Sequence, residues 1–159
     1  MQARIKLFTI GHSNLSLDVF VDLLKQHNIP TIVDVRTKPF SSYSPQFNRS
    51  NLALNLERNS IKYKFMGDKL GGHPKSELSS CNEHIGAKRN QLYQQGIAEL
   101  IQIAEQGWTA IMCSEGDFRE CHRYHLISKT LVLQGIEVKH IQSDGSLYDN
   151  PGVQLSLQV

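Results

Sequence analysis

The chain predicts an α/β fold: a single three-layer, Rossmann-like domain over residues 1–159, with a mainly parallel sheet of about five strands. Three observations carry this expectation. Short apolar or β-branched runs alternate with amphipathic helical segments along the length. Glycine, proline, serine and asparagine mark the breaks between them. Polar, reactive side chains then recur just past the carboxyl end of each strand-like run, the rim where open α/β sheets bind ligands.

Ile5 to Ile10 reads as the first strand and stops at Gly11-His12-Ser13-Asn14. Ser16 then caps a helix with Asp18 in its first turn and Leu17, Phe20, Val21, Leu23 and Leu24 on its apolar face. Asn28 and Pro30 end it, and Thr31 to Val35 is the second strand, carrying Asp34 with Arg36 just beyond. A loop rich in proline, serine and aromatics, Lys38 to Phe47, leads to a short helix over Arg49–Arg58. The alternation in Ile61–Met66 predicts a third, less buried strand. Gly67 to Lys88 is a long polar stretch holding Gly71-Gly72, of a length at which structureless loops are often lids or disordered segments. Gln91–Gln106 is an amphipathic helix, and Thr109–Met112 has the continuous apolar character of a central parallel strand. Asp117 with Glu120 three residues later is an aspartate capping box, predicting a helix from near Phe118 to about Gln134, before Gly135. Ile136–Ile141 is the last strand, Asp144-Gly145 is a turn, and the tail from Leu147 is too short for a further domain.

Composition narrows the function. At 159 residues the chain buries roughly two-thirds of its unfolded surface. Seventeen basic against fifteen acidic residues give a net charge of +2, milder than the basic stripe of a dedicated nucleic-acid binder. No apolar run is long enough to span a bilayer, and Met1-Gln2-Ala3-Arg4 leads into a strand with no leader-like segment. Three cysteines without disulfide spacing fit a reducing compartment, so the expected setting is the cytoplasm, with no membrane partner.

Several motifs occur in a fixed order: Thr9-Ile10-Gly11-His12-Ser13; Val33-Asp34-Val35-Arg36 with Pro39; Pro45-Gln46-Phe47; and Leu70-Gly71-Gly72. Cys113-Ser114-Glu115 with Cys121-His122-Arg123, and His140-Ile141 with Asp144-Gly145, complete the set. Together they resemble domain-of-unknown-function family 488 over nearly the whole chain. The resemblance implies a compact bacterial or archaeal α/β domain and leaves the activity open.

The richest corner is Cys113 to Arg123. Cys113 and Arg119 stand at the Cys-x5-Arg spacing of thiolate phosphatase loops, but Glu115 and Asp117 between them would repel a phosphate and raise the thiol pKa. Cys113 therefore reads either as a nucleophile or as a small buried hydrophobe. Glu115 is placed to act as general base or nucleophile, since Asp117 already suits capping. His12 supplies an imidazole that titrates near neutrality. Arg36 and Arg123 are anion hooks, with His122 beside the latter, although Asp34 and Arg36 share a strand face and can pair with each other. Gly11, Ser13, Gly71 and Gly72 allow close backbone approach to a ligand or serve as turns. Tyr43 and Phe47 either stack on a base or sugar or pack beneath their loop.

The expected function is that of a small hydrolase or group transferase acting on an anionic, nucleotide- or sugar-phosphate-like substrate at the carboxyl edge. His12, Glu115 and Cys113 form the catalytic set, and Gly11, Ser13, Asp34, Arg36, Tyr43, Phe47, Gly71, Gly72, His122 and Arg123 the binding set. The alternatives are a non-catalytic nucleic-acid or nucleotide-binding module, and thiol-dependent sulfur transfer or phosphatase-like chemistry through Cys113. No pattern calls for a cofactor; Cys113, Cys121 and a histidine could together hold a metal, but they lack zinc-finger spacing and a second close ligand pair, so no metal is assigned. An anionic small molecule or nucleotide, nucleic acid, or a second copy of the chain as a homodimer are the partners left open.

Overall fold

In the computed structural model, residues 5–71, 83–121 and 123–149 are described, except for the side chains of 83–89, 120 and 123–125. Among these residues six strands form one sheet: β1 (Lys6–Gly11), β2 (Thr31–Asp34), β3 (Lys62–Phe65), β4 (Thr109–Cys113), β5 (Glu137–Ile141) and β6 (Leu147–Asp149). Their order is β3-β2-β4-β1-β5-β6. The first five strands are parallel and β6 is antiparallel to β5. The expectation of five strands is thus corrected to six. The dinucleotide-binding order 3-2-1-4-5-6 does not apply, because β4 lies between β1 and β2.

Strand alternation divides the core between the two faces of the sheet. Leu7, Val33, Ile111 and Val138 belong to one buried cluster, together with α3 (Gly67–Leu70), α4 (Glu83–Gln106) and α5 (Lys129–Leu133). Phe8, Ile32, Ala110, Met112 and Ile141 belong to the other, with α1 (Leu17–Gln26) and α2 (Arg49–Arg58). Ser16 caps α1 by accepting from the Val19 N–H at 3.2 Å. Asn28, at φ 56°, takes the left-handed conformation just beyond that helix, and the Ile29 N–H closes back on the Leu24 carbonyl.

Two segments depart from expectation. Within the long polar stretch, Gly67–Leu70 is a helical turn and α4 begins at Glu83 rather than Gln91. Residues 72–82, including Gly72, lie outside the described residues. The helix expected from Phe118 is instead a 3-10 turn over Phe118–Glu120, then a π-helical turn over Arg123–Ser128 that runs into α5. Asp117 does cap, but it accepts from the Arg119 N–H, and Cys121 is extended at φ −124°, ψ 148°, which stops propagation. Phe118 is drawn inward to stack on His140 with ring centroids 4.0 Å apart.

Glycine is required where the α3 turn meets β2. A Cβ on Gly67 would lie 1.8 Å from the Arg36 carbonyl oxygen, and one on Gly71 would lie 2.3 Å from the Gly67 carbonyl. Gly67→Ala therefore forces α3 away from the strand end. It should cost about 1–3 kcal/mol in urea unfolding, whereas Gly107→Ala, whose Cβ would meet nothing closer than 3.8 Å, should cost less.

Candidate active site at the carboxyl edge

β1 and β4 are central neighbours, and their pairing continues past the strand ends. His12 N–H donates to the Cys113 carbonyl at 3.0 Å, and Ser13 N–H to the Ser114 carbonyl at 2.8 Å. Gly116 packs against Ser13, where an added Cβ would stand 3.1 Å from both Cβ and Oγ. Ser13 itself sits at φ 45°, a left-handed conformation that follows no helix. The zipped loops hold His12-Ser13 and Cys113-Ser114-Glu115 side by side, while Gly11 remains a buried strand residue paired with Cys113.

His12 is only 6% exposed. Its ring stacks on Phe47 at 4.5 Å and 16°, and its Nδ1 lies 2.8 Å from the Ser13 carbonyl oxygen. A carbonyl can only accept, so Nδ1 carries the proton and Nε2 presents a lone pair. No described residue bonds Nε2. Burial pushes the His12 pKa below the ordinary histidine value; the Ser13 carbonyl opposes this, the Arg36 charge adds to it, and the Asp34 and Glu115 charges oppose it. Glu115 is exposed on the solvent side of the same corner.

Arg36 and Asp34 are placed differently from the expectation of a substrate hook. Arg36 Nε and Nη2 donate to the two Asp34 carboxylate oxygens at 2.9 and 2.8 Å, and Nη2 also donates to the Phe47 carbonyl at 2.7 Å. Asp34 is 0% exposed and Arg36 7%, so the pair is a buried clamp and Asp34 cannot touch a substrate. Tyr63, which sequence reasoning missed, donates its hydroxyl to Asp34 Oδ2 at 2.5 Å. Burial, then that hydrogen bond and the Asp34 charge, raise the Tyr63 pKa above its ordinary value. The clamp fixes the loop carrying Phe47, and Phe47 in turn seats the His12 ring.

The remaining candidates divide. Phe47 is fully buried, whereas Tyr43 is 96% exposed, as is Phe40 at 78%. Gly71 is a packing glycine against Thr37 and Gly67. His122 and the side chain of Arg123 lie outside the described residues. A cleft of about 630 Å³ opens beside the loop after β2, lined among others by Lys38, Phe40, Arg49 and Phe65. The Arg49 guanidinium lies 4.3 Å from the Phe65 ring centroid. Cys113 and Cys121 are buried and form no disulfide, and with Glu115 they bring three donor atoms within 4.8 Å of one another. Sequence reasoning grouped Cys113 and Cys121 with a histidine rather than with Glu115, because the observed convergence depends on the tight reversal around Phe118.

These features define an α/β protein with convergent polar groups at the carboxyl edge of a mostly parallel sheet. The chain belongs to the family described as domain of unknown function DUF488, whose profile matches residues 16–130. Comparison with curated proteins and with solved structures returns no match. No helix among the described residues is long and apolar enough to cross a membrane.

Proposed function

We propose that the protein is a small hydrolase or group transferase acting on an anionic, nucleotide- or sugar-phosphate-like substrate at this edge. The observation that carries the reading is the His12 imidazole, buried, locked through Nδ1, and offering Nε2 as a proton acceptor. Glu115 beside it supplies a second ionisable group for the acid or nucleophilic role. The cleft beside the loop after β2 is lined by neither His12 nor Glu115; its exposed cations Lys38 and Arg49 offer charge for a phosphate and Phe40 an aromatic surface to a substrate long enough to reach both. Arg36 contributes by holding the loop in place. The buried clusters on opposite sheet faces support the wider reading of one three-layer, Rossmann-like domain, and three cysteines without disulfide spacing in the sequence support a cytoplasmic setting.

The exposure of Phe40 and Tyr43 favours one second reading, a nucleotide- or nucleic-acid-binding module that performs no chemistry. A thermal-shift screen of nucleotides and sugar phosphates, followed by turnover assays on the hits, separates the two. In an enzyme, Glu115→Gln binds the stabilising ligand with affinity close to wild type and loses turnover by about 10²–10⁴-fold. Absence of turnover on every ligand that binds would favour the module.

A further inference from the structure

We propose that Cys113, Glu115 and Cys121 form a metal-binding site for a divalent ion of zinc type. This goes beyond the acid–base reading and holds whether or not the protein is an enzyme. The donors come from three separately fixed points. Cys113 is the last residue of β4, in register with Gly11. Glu115 lies in the loop zipped to His12 and Ser13. Cys121 closes the 3-10 turn, its N–H donating to the Phe118 carbonyl at 3.2 Å. The stacking of Phe118 on His140 turns the chain back, so that Cys121 returns to Cys113 across eight positions of sequence.

All three donor atoms lie within 4.8 Å of one another. Around a tetrahedral zinc ion, two thiolates and a carboxylate stand about 3.6–3.8 Å apart, so an inward adjustment of about 1 Å completes the set. Donor type selects the ion: two soft thiolates disfavour magnesium and calcium, while one carboxylate is compatible with zinc. The burial pattern sets the orientation. Cys113 and Cys121 are 1% and 2% exposed, and Glu115 faces solvent, so an ion would sit at the boundary with its carboxylate side outward. Among the described residues three donors converge, which leaves a fourth position for water, substrate or a further ligand. Binding converts each thiol to a thiolate bound to the metal and releases its proton, two per ion in all, while the ionised carboxylate binds unchanged. When the ion is bound, Glu115 serves as its ligand in place of the acid or nucleophilic role given it above, and among the described residues His12 stands beside it as a proton acceptor.

The full chain, purified under reduction and titrated with Zn²⁺ or Co²⁺, tests this. One equivalent should survive desalting, the Co²⁺ form should show thiolate-to-metal charge-transfer absorption, and X-ray absorption should give two sulfur neighbours at about 2.3 Å. Calorimetry in buffers of different ionisation enthalpy should report about two protons released. Cys121→Ser should weaken binding about 100-fold. Glu115→Gln, at an exposed position that does not threaten folding, should weaken binding yet keep the sulfur signature. His12→Asn should retain the ion. A shell of nitrogen and oxygen only, an affinity unchanged by Cys121→Ser, or no retained metal in the folded wild type would each overturn the site.

Discussion

Arg36→Ala lowers the stability of the folded chain by about 3–5 kcal/mol, because it strands the Asp34 carboxylate in a site with no solvent. In a chain of this size that corresponds to a fall of roughly 6–20 °C in melting temperature. Tyr63 retains its hydrogen bond to Asp34 Oδ2 but cannot replace a guanidinium that makes two contacts to the carboxylate and one to the Phe47 carbonyl. The double variant Asp34→Asn, Arg36→Met removes both charges, keeps an acceptor for Tyr63, and should recover about half of the loss or more. Urea unfolding of the three proteins makes the comparison. Had Arg36 been a substrate hook, the single variant would instead fold normally and lose only ligand affinity.

His12→Asn is the second large effect, and it falls on turnover. The asparagine amide can still donate to the Ser13 carbonyl, as Nδ1 does at 2.8 Å, but it places no acceptor where Nε2 stands. Turnover on the substrate identified by screening should drop about 10²–10⁴-fold, with the main change in kcat rather than KM. His12→Gln, which extends an amide toward the Nε2 position, should bind substrate no worse than His12→Asn and remain similarly impaired.

Much of the fold was legible because burial leaves a period in the sequence. The five parallel strands fall within about one residue of the apolar runs, and α2 occupies Arg49–Arg58 as its spacing indicates. β6 escaped because Leu147–Asp149 is three exposed residues long, with no buried face to impose alternation. The segment after Asp117 misled for a different reason. Its capping signal is real, but the burial of Phe118 against His140 overrides helix propagation. At the carboxyl edge, the sequence placed His12 and Glu115 just past strand ends and Cys113 at one, and the structure sets the three residues at those positions. The buried role of Arg36 was hidden, since two of its determinants, the Phe47 carbonyl and the Tyr63 hydroxyl, arrive from a distant loop and from β3. Strand parity offered only the Asp34 pairing.

The histidine also leaves a signature in pH. Its folded-state pKa lies below the ordinary value of 6.5, so the unfolded chain takes up the proton first as pH falls. The His12 contribution to stability therefore declines below about pH 6.5 and levels off once pH passes below the folded pKa. The most direct measurement is a long-range ¹H–¹⁵N spectrum of the imidazole rings, with His12 assigned by comparison with His12→Asn. It should show His12 as the Nδ1–H tautomer, with Nε2 unprotonated near neutral pH and protonation only below 6.5. An Nε2–H tautomer, or a ring still cationic above pH 6.5, would contradict a base poised at this edge.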